Sequence, residues 1–190
     1  MRTSILSLLL VTIILQACKG PKADTYDFPE PVDTSTRPID LQEKKVYTID
    51  GVYADNRFDG ARLNGFEQIS ENAFEVTIAP ENSPINPSPW YAFKLWSNDA
   101  RQIELTLDYG SARHRYYPKT SNDGRTWEKL PASQLAIADD TTAATLTLTL
   151  DSDTLWLAGQ ELHNSGYVQE WAYAQALHED VTYLTVGESK

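Results

Sequence analysis

A two-sheet antiparallel β-sandwich, jelly-roll-like in its strand spacing, is the fold this sequence predicts. Three observations predict it. Apolar and polar residues alternate with period two in several runs between residues 61 and 160. Clusters of Asn, Asp, Ser and Gly separate those runs. Helical spacing is nearly absent until Val168.

The N-terminus stands outside this pattern. Arg2 supplies a positive start, and residues 5–15 are almost wholly apolar. That run is too short for a membrane-spanning helix, which needs about 20 residues. Residues 1–17 therefore read as a signal peptide. Leu15-Gln16-Ala17-Cys18 closes it, with Leu at −3, a small residue at −1 and cysteine at +1. This tetrapeptide resembles the lipobox of bacterial lipoproteins. The resemblance implies lipid attachment at Cys18, and acyl chains there would make the membrane a partner. Lys19 follows where aspartate commonly signals inner-membrane retention, so the outer membrane of the cell envelope is the expected location. Cys18 is the only cysteine, so no disulfide framework is available and an apolar core must hold the fold. Pro21, Pro29, Pro31 and Pro38 punctuate residues 18–40, which read as an extended, semi-rigid tether.

The remaining chain is long enough for one domain with a real core, set at residues 41–162. The full sequence carries a formal net charge of −11, with acids scattered rather than clustered, which argues against the basic face that nucleic-acid binding needs. In Tyr91-Ala92-Phe93-Lys94-Leu95-Trp96, one face carries Tyr91, Phe93 and Leu95 and the other Ala92, Lys94 and Trp96. Ile103, Leu105 and Leu107 alternate with polar residues, and Leu146, Leu148 and Leu150 alternate with threonines. Such regularity implies strands with one face in a core. Ser70-Glu71-Asn72, Ser97-Asn98-Asp99, Asn122-Asp123-Gly124 and Asp151-Ser152-Asp153 are the turns. They separate strands expected at 66–69, 74–78, 91–96, 116–119, 126–130 and 145–150. Seven or eight short strands at this spacing suggest two packed sheets. Pro80, Pro84, Pro87 and Pro89 form a loop that no central strand tolerates. After residue 162 the pattern changes: residues 167–177 have helical spacing, and 181–187 read as a strand running into glycine.

Chemistry-bearing constellations are sparse. A catalytic zinc site needs three protein ligands and an open position. His114, His163 and His178 are followed three residues on by Tyr117, Gly166 and Val181, so none forms a His-x-x-Glu pair. No His-Glu-x-x-His, Gly-x-Ser-x-Gly or phosphate-loop spacing occurs. No catalytic residue and no metal ligand is therefore assigned, and no cofactor is expected in this chain. Ser121-Asn122-Asp123-Gly124-Arg125-Thr126-Trp127 is the most distinctive motif. It is one residue shorter than the Asp-box of sialidase-type hairpins, and similar turns occur in discoidin-like sandwiches. It reads mainly as a folding device, with Trp127 plugging the apolar edge. A free-standing carbohydrate-binding lipoprotein, using Trp90, Trp96 or Trp127, is the alternative reading.

Three segments together are more specific. They are Phe58-Asp59-Gly60-Ala61-Arg62-Leu63-Asn64-Gly65-Phe66, Trp90-Tyr91-Ala92-Phe93-Lys94-Leu95, and Tyr109 to Lys119 running into the Ser121–Trp127 turn. In this order they resemble the N-terminal β-sandwich of zinc metallocarboxypeptidases of the cytosolic-carboxypeptidase-like type, including bacterial lipoprotein members. The resemblance covers about residues 50–190. It implies an accessory domain of a membrane-anchored enzyme that hydrolyses C-terminal residues of peptides with zinc. Residues 163–190 resemble the start of the catalytic domain. The zinc pair, second zinc histidine, substrate-binding arginine and general-base glutamate come later in such enzymes. The expectation is a truncated chain whose missing catalytic domain is its partner, with peptide substrate bound only in the parent enzyme.

If Cys18 carries the lipid, Cys18→Ala should move the protein from the membrane fraction to a soluble or unprocessed form. Unchanged fractionation of that variant would refute the lipoprotein reading.

Overall fold

The computed structural model describes residues 41–80 and 88–187. The signal peptide, Cys18, the tether, Pro84 and Pro87 lie outside the described residues. Eleven strands and one longer helix are present among them. The strands are β1 Val46–Ile49, β2 Val52–Asp55, β3 Gly65–Ser70, β4 Ala73–Thr77, β5 Ala92–Ser97 and β6 Arg101–Asp108. They continue with β7 Lys119–Ser121, β8 Glu128–Lys129, β9 Leu135–Ile137, β10 Ala143–Leu150 and β11 Leu155–Ala158. Helix α1 spans Ser165–Gln175.

The strands form two sheets that share one core. One sheet has the order β1-β2-β5-β11-β7-β8, the other β3-β4-β6-β10-β9. Leu105 pairs with Leu146 and Ile103 with Leu148 in the β6–β10 ladder, so these leucines and isoleucine line one face. From the opposite sheet Val52, Ala54, Phe93, Leu95 and Leu157 join them in one cluster of buried side chains. The outward side of the β6–β10 pair carries threonines, and Thr106 and Thr145 meet hydroxyl to hydroxyl at 3.2 Å. Alternation thus becomes a two-layer sandwich because each sheet has one apolar face to hide.

Not every pairing is antiparallel. β4 runs parallel to β6. The intervening β5 lies in the other sheet, so the chain crosses over and returns in its original direction. The expected strand at 116–119 begins only at Lys119, because Pro118 has no N–H for the ladder and Tyr116 and Tyr117 lie before it. Residues 181–187 form no strand. An extended segment becomes a strand only where a neighbour completes its hydrogen bonds, and the segment has none here. Helix α1 begins at Ser165, ahead of the expected start, because the Asn164 carboxamide caps it by accepting from Tyr167 N at 2.9 Å.

Two polar residues tie the strands' ends together. Arg101 donates to Asp50 O at 2.9 Å, Glu71 O at 2.7 Å and Asn72 Oδ1 at 2.7 Å, pinning two hairpin turns to the start of β6. Asn56 is fully buried. Its Oδ1 accepts from Lys45 N at 2.8 Å, and its Nδ2 donates to Glu43 O at 2.8 Å and Leu63 O at 3.0 Å. One amide therefore fastens the segment before β1 to the loop before β3.

Asn56→Ala should leave the Lys45 N–H and the Leu63 carbonyl short of partners. We expect a loss of about 2–4 kcal/mol, since each buried orphan costs roughly 1–3 kcal/mol. Urea unfolding checks this, with the midpoint falling and the slope unchanged.

Candidate functional site

The sites the sequence raises do not converge. His114 Nδ1 lies 2.9 Å from the Tyr109 hydroxyl, and burial pushes its pKa below the usual histidine value. His163 stacks on Tyr167 with ring centroids 4.6 Å apart. His178 is exposed beyond the helix. Among the described residues no group of three or more His, Cys, Asp or Glu side chains could hold a metal ion. These residues therefore do not fit zinc, and no chemical step is assigned to them.

The tryptophans of the carbohydrate reading are partly committed. Trp90 donates its indole N–H to Gly60 O at 3.0 Å and meets Tyr116 edge-on. Trp96 stacks flat against Tyr53, with centroids 5.0 Å apart. Trp127 is half-buried, and the indole beside the 121–127 turn is instead Trp156.

That turn is built on one carboxylate. Asp123 Oδ1 accepts from Arg125 N and Thr126 N, each at 2.7 Å, and from Ser121 Oγ at 2.9 Å. Its Oδ2 accepts from the Thr126 hydroxyl at 3.0 Å. Gly124 has φ +71°, and a Cβ there would come within 3.0 Å of Trp156 ring carbons. Glycine is thus required twice, for the left-handed backbone and for the close approach to the indole.

Sheet register explains why Trp156 stands there. Asp55, Lys94, Trp156 and Ser121 are successive cross-strand partners on β2, β5, β11 and β7. This row lies on the outer face, because Leu157 points into the core from the same strand. Lys94 Nζ sits 4.3 Å from the Trp156 ring centroid, and the Phe58 ring meets the indole edge-on at 4.8 Å. Burial pushes the Asp55 carboxyl up, but hydrogen bonds and charge from Arg57, with Lys94 nearby, hold it below the usual range. The row borders a cleft of about 330 Å³ where Phe58, Trp156 and Arg125 face Tyr167 and Glu170 of helix α1. Arg125 and Glu170 form an ion pair at 3.3 Å. This cleft has no nucleophile paired with a base; its groups can grip a neighbouring segment or ligand.

The sequence pattern marks the 121–127 turn but does not bring Phe58, Lys94 and Trp156 to it. The alternation of Leu155-Trp156-Leu157 was the available signal, since it sends the tryptophan to the face opposite the leucines.

Comparison with solved structures places this architecture. The chain is similar to a metallo-carboxypeptidase from Burkholderia cenocepacia, with a TM-score of 0.56 and 15% identity, covering 72% of this chain and 36% of that one. The fold is one that bacterial metallo-carboxypeptidases contain. A candidate carboxypeptidase from Burkholderia mallei matches with a TM-score of 0.52 and 16% identity, over 66% of this chain and 32% of the other. A candidate carboxypeptidase A from Shewanella denitrificans matches with a TM-score of 0.51 and 16% identity, over 68% and 34%. The chain thus spans about a third of the length of these proteins. No protein-family profile matches it, and no curated protein sequence does.

Hydrogen bonds to the ionised Asp123, from Thr126 N and Arg125 N first, hold its pKa well below the carboxylate range. A depressed folded pKa contributes stability above the ordinary value of about 4, lost as pH falls through the folded one. The stability gap between the wild type and Asp123→Ala should be full at neutral pH and close only in strong acid. Gly124→Ala should cost about 1–2 kcal/mol for the left-handed backbone alone. Thermal unfolding of both variants at several pH values tests these expectations.

Proposed function

We propose that this chain is the accessory, non-catalytic β-sandwich of a membrane-anchored zinc carboxypeptidase that removes C-terminal residues from peptides. The observation that carries this reading is the likeness of its fold to about a third of each of three bacterial carboxypeptidase structures. The order of the three sequence segments around Phe58, Trp90 and Tyr109 supports it independently. In this reading residues 41–162 are the sandwich, and residues 163–190 are the start of the catalytic domain. Zinc and peptide substrate belong to that domain, which is the sandwich's partner. Cys18 holds the assembly at the outer membrane, and residues 18–40 act as its tether. The sandwich contributes position rather than chemistry. It packs beside the catalytic domain, where interfaces within one chain typically bury roughly 600–1,500 Å².

Two measurements test this. Purified residues 19–190, incubated with zinc and peptides, should release no C-terminal amino acid in a chelator-sensitive manner. The genomic reading frame beyond the Lys190 codon should encode a His-x-x-Glu pair. A stop codon there, with intact genes on both sides, would overturn the accessory reading. Zinc-dependent release by the purified chain would overturn its non-catalytic part.

A further inference from the structure

We infer that the outer face of the six-stranded sheet around Trp156 is a seat that sets the direction in which helix α1 leaves the sandwich. The biological purpose of such a seat rests on the accessory-module reading; its geometry does not. β11 lies between β5 and β7, so Trp156 has a neighbouring strand on each hand. From the β5 side Lys94 covers the indole at 4.3 Å. From the β7 side the Gly124 backbone approaches so closely that an added Cβ would lie 3.0 Å from two ring carbons. The ring is held between them, and the 121–127 turn is thereby fixed in place.

The next residue of that turn, Arg125, pairs with Glu170, which lies in the second turn of α1. On the other side of the connection, Leu162 lies against Gly60, where an added Cβ would be 3.4 Å from Leu162 Cδ2. Further back, Gly159 N donates to Tyr91 O at 3.0 Å, and Lys119 pairs with Glu161. The segment from β11 to α1 is therefore tied at 159, 161, 162 and 170. No residue of α1 is buried, so core packing does not set its direction. What joins it to the sandwich is the tied segment before it and the Arg125–Glu170 pair. Domains joined in one chain move relative to each other by default unless their junction is held. A module whose contribution is positional needs such a junction.

Hydrogen exchange on residues 19–190 tests this. An exposed ion pair contributes little, up to about fivefold in an equilibrium. Arg125→Glu, which sets two acids face to face, should speed exchange of the α1 amides by about that factor. Amides of β10 should be unaffected. The swap Arg125→Glu with Glu170→Arg should return α1 exchange to the wild-type rate. Trp156→Ala, which removes the seat from the solvent side of the sheet, should speed α1 in the same way. Unchanged α1 exchange in both Arg125→Glu and Trp156→Ala would overturn the inference. So would a swap variant no slower than Arg125→Glu, or equal acceleration in β10. A stop codon after Lys190 would end the accessory reading and leave this result standing.

Discussion

The eight-residue antiparallel ladder between β6 and β10 is the pairing on which the other elements depend. Its apolar side presents Ile103, Leu105, Leu107, Leu146, Leu148 and Leu150, all buried. A sheet with such a face is stable only against a second apolar face, and the β2–β5–β11 strands supply it. β4 completes the first sheet by lying parallel to β6, with Phe74 beside Leu105 and Val76 beside Leu107. The parallel pair is a consequence of layering: the chain must visit the second sheet through β5 before it can return. With no disulfide possible within the sandwich, this mutual burial and a few buried polar ties such as Asn56 hold the fold.

The outer face of the six-stranded sheet obeys a different rule. It is neither a dry core nor an ordinary polar surface. Tyr53 and Trp96 stack there, and Lys94 bridges the Phe58 and Trp156 rings, at 5.1 and 4.3 Å from their centroids. A lysine stem over two aromatic rings covers apolar area while its charge stays near Asp55 and solvent. This arrangement leaves the indole of Trp156 held on both sides. It suits support of a neighbouring segment better than stacking of a free planar ligand.

Helix α1 and the residues after it show the reverse balance. Val168, Trp171, Tyr173, Leu177, Leu184 and Val186 are exposed, and Tyr173 meets Tyr183 at 4.7 Å. Aromatic residues of this kind are enriched in the centres of protein interfaces. The accessory-module reading gives them a cover in the domain that follows. Their own helix cannot supply one, since a single helix has nothing to bury its apolar side chains against.

Much of the sandwich was legible because alternation is a local property. The leucines at 146, 148 and 150 and the face of Tyr91, Phe93 and Leu95 announced their burial without any partner being known. The Asp123-Gly124 turn was legible for the same reason, since its hydrogen bonds run between neighbours in the chain. The short strands β1, β2 and β9 escaped, because four or three residues carry too little pattern and depend on a partner's ladder. The strand expected at 181–187 failed on the converse ground: strand propensity was present, but no partner was.

The candidate site was less legible, and the reason is geometric. Trp156 and Glu170 are unremarked in their own segments, and nothing local ties them to Phe58, to Lys94 or to the Gly124-Arg125 turn. Only sheet register sets Lys94 beside Trp156, and only the order of strands sets Gly124 on the indole's other side. By itself the sequence determined the fold class, the apolar faces and the turn chemistry, because these rest on interactions a few residues apart. Tertiary structure alone decided the parallel β4–β6 pair, the Asn56 tie and the seat beneath α1. Each of those joins residues far apart in the chain, and no local pattern encodes which of them will meet.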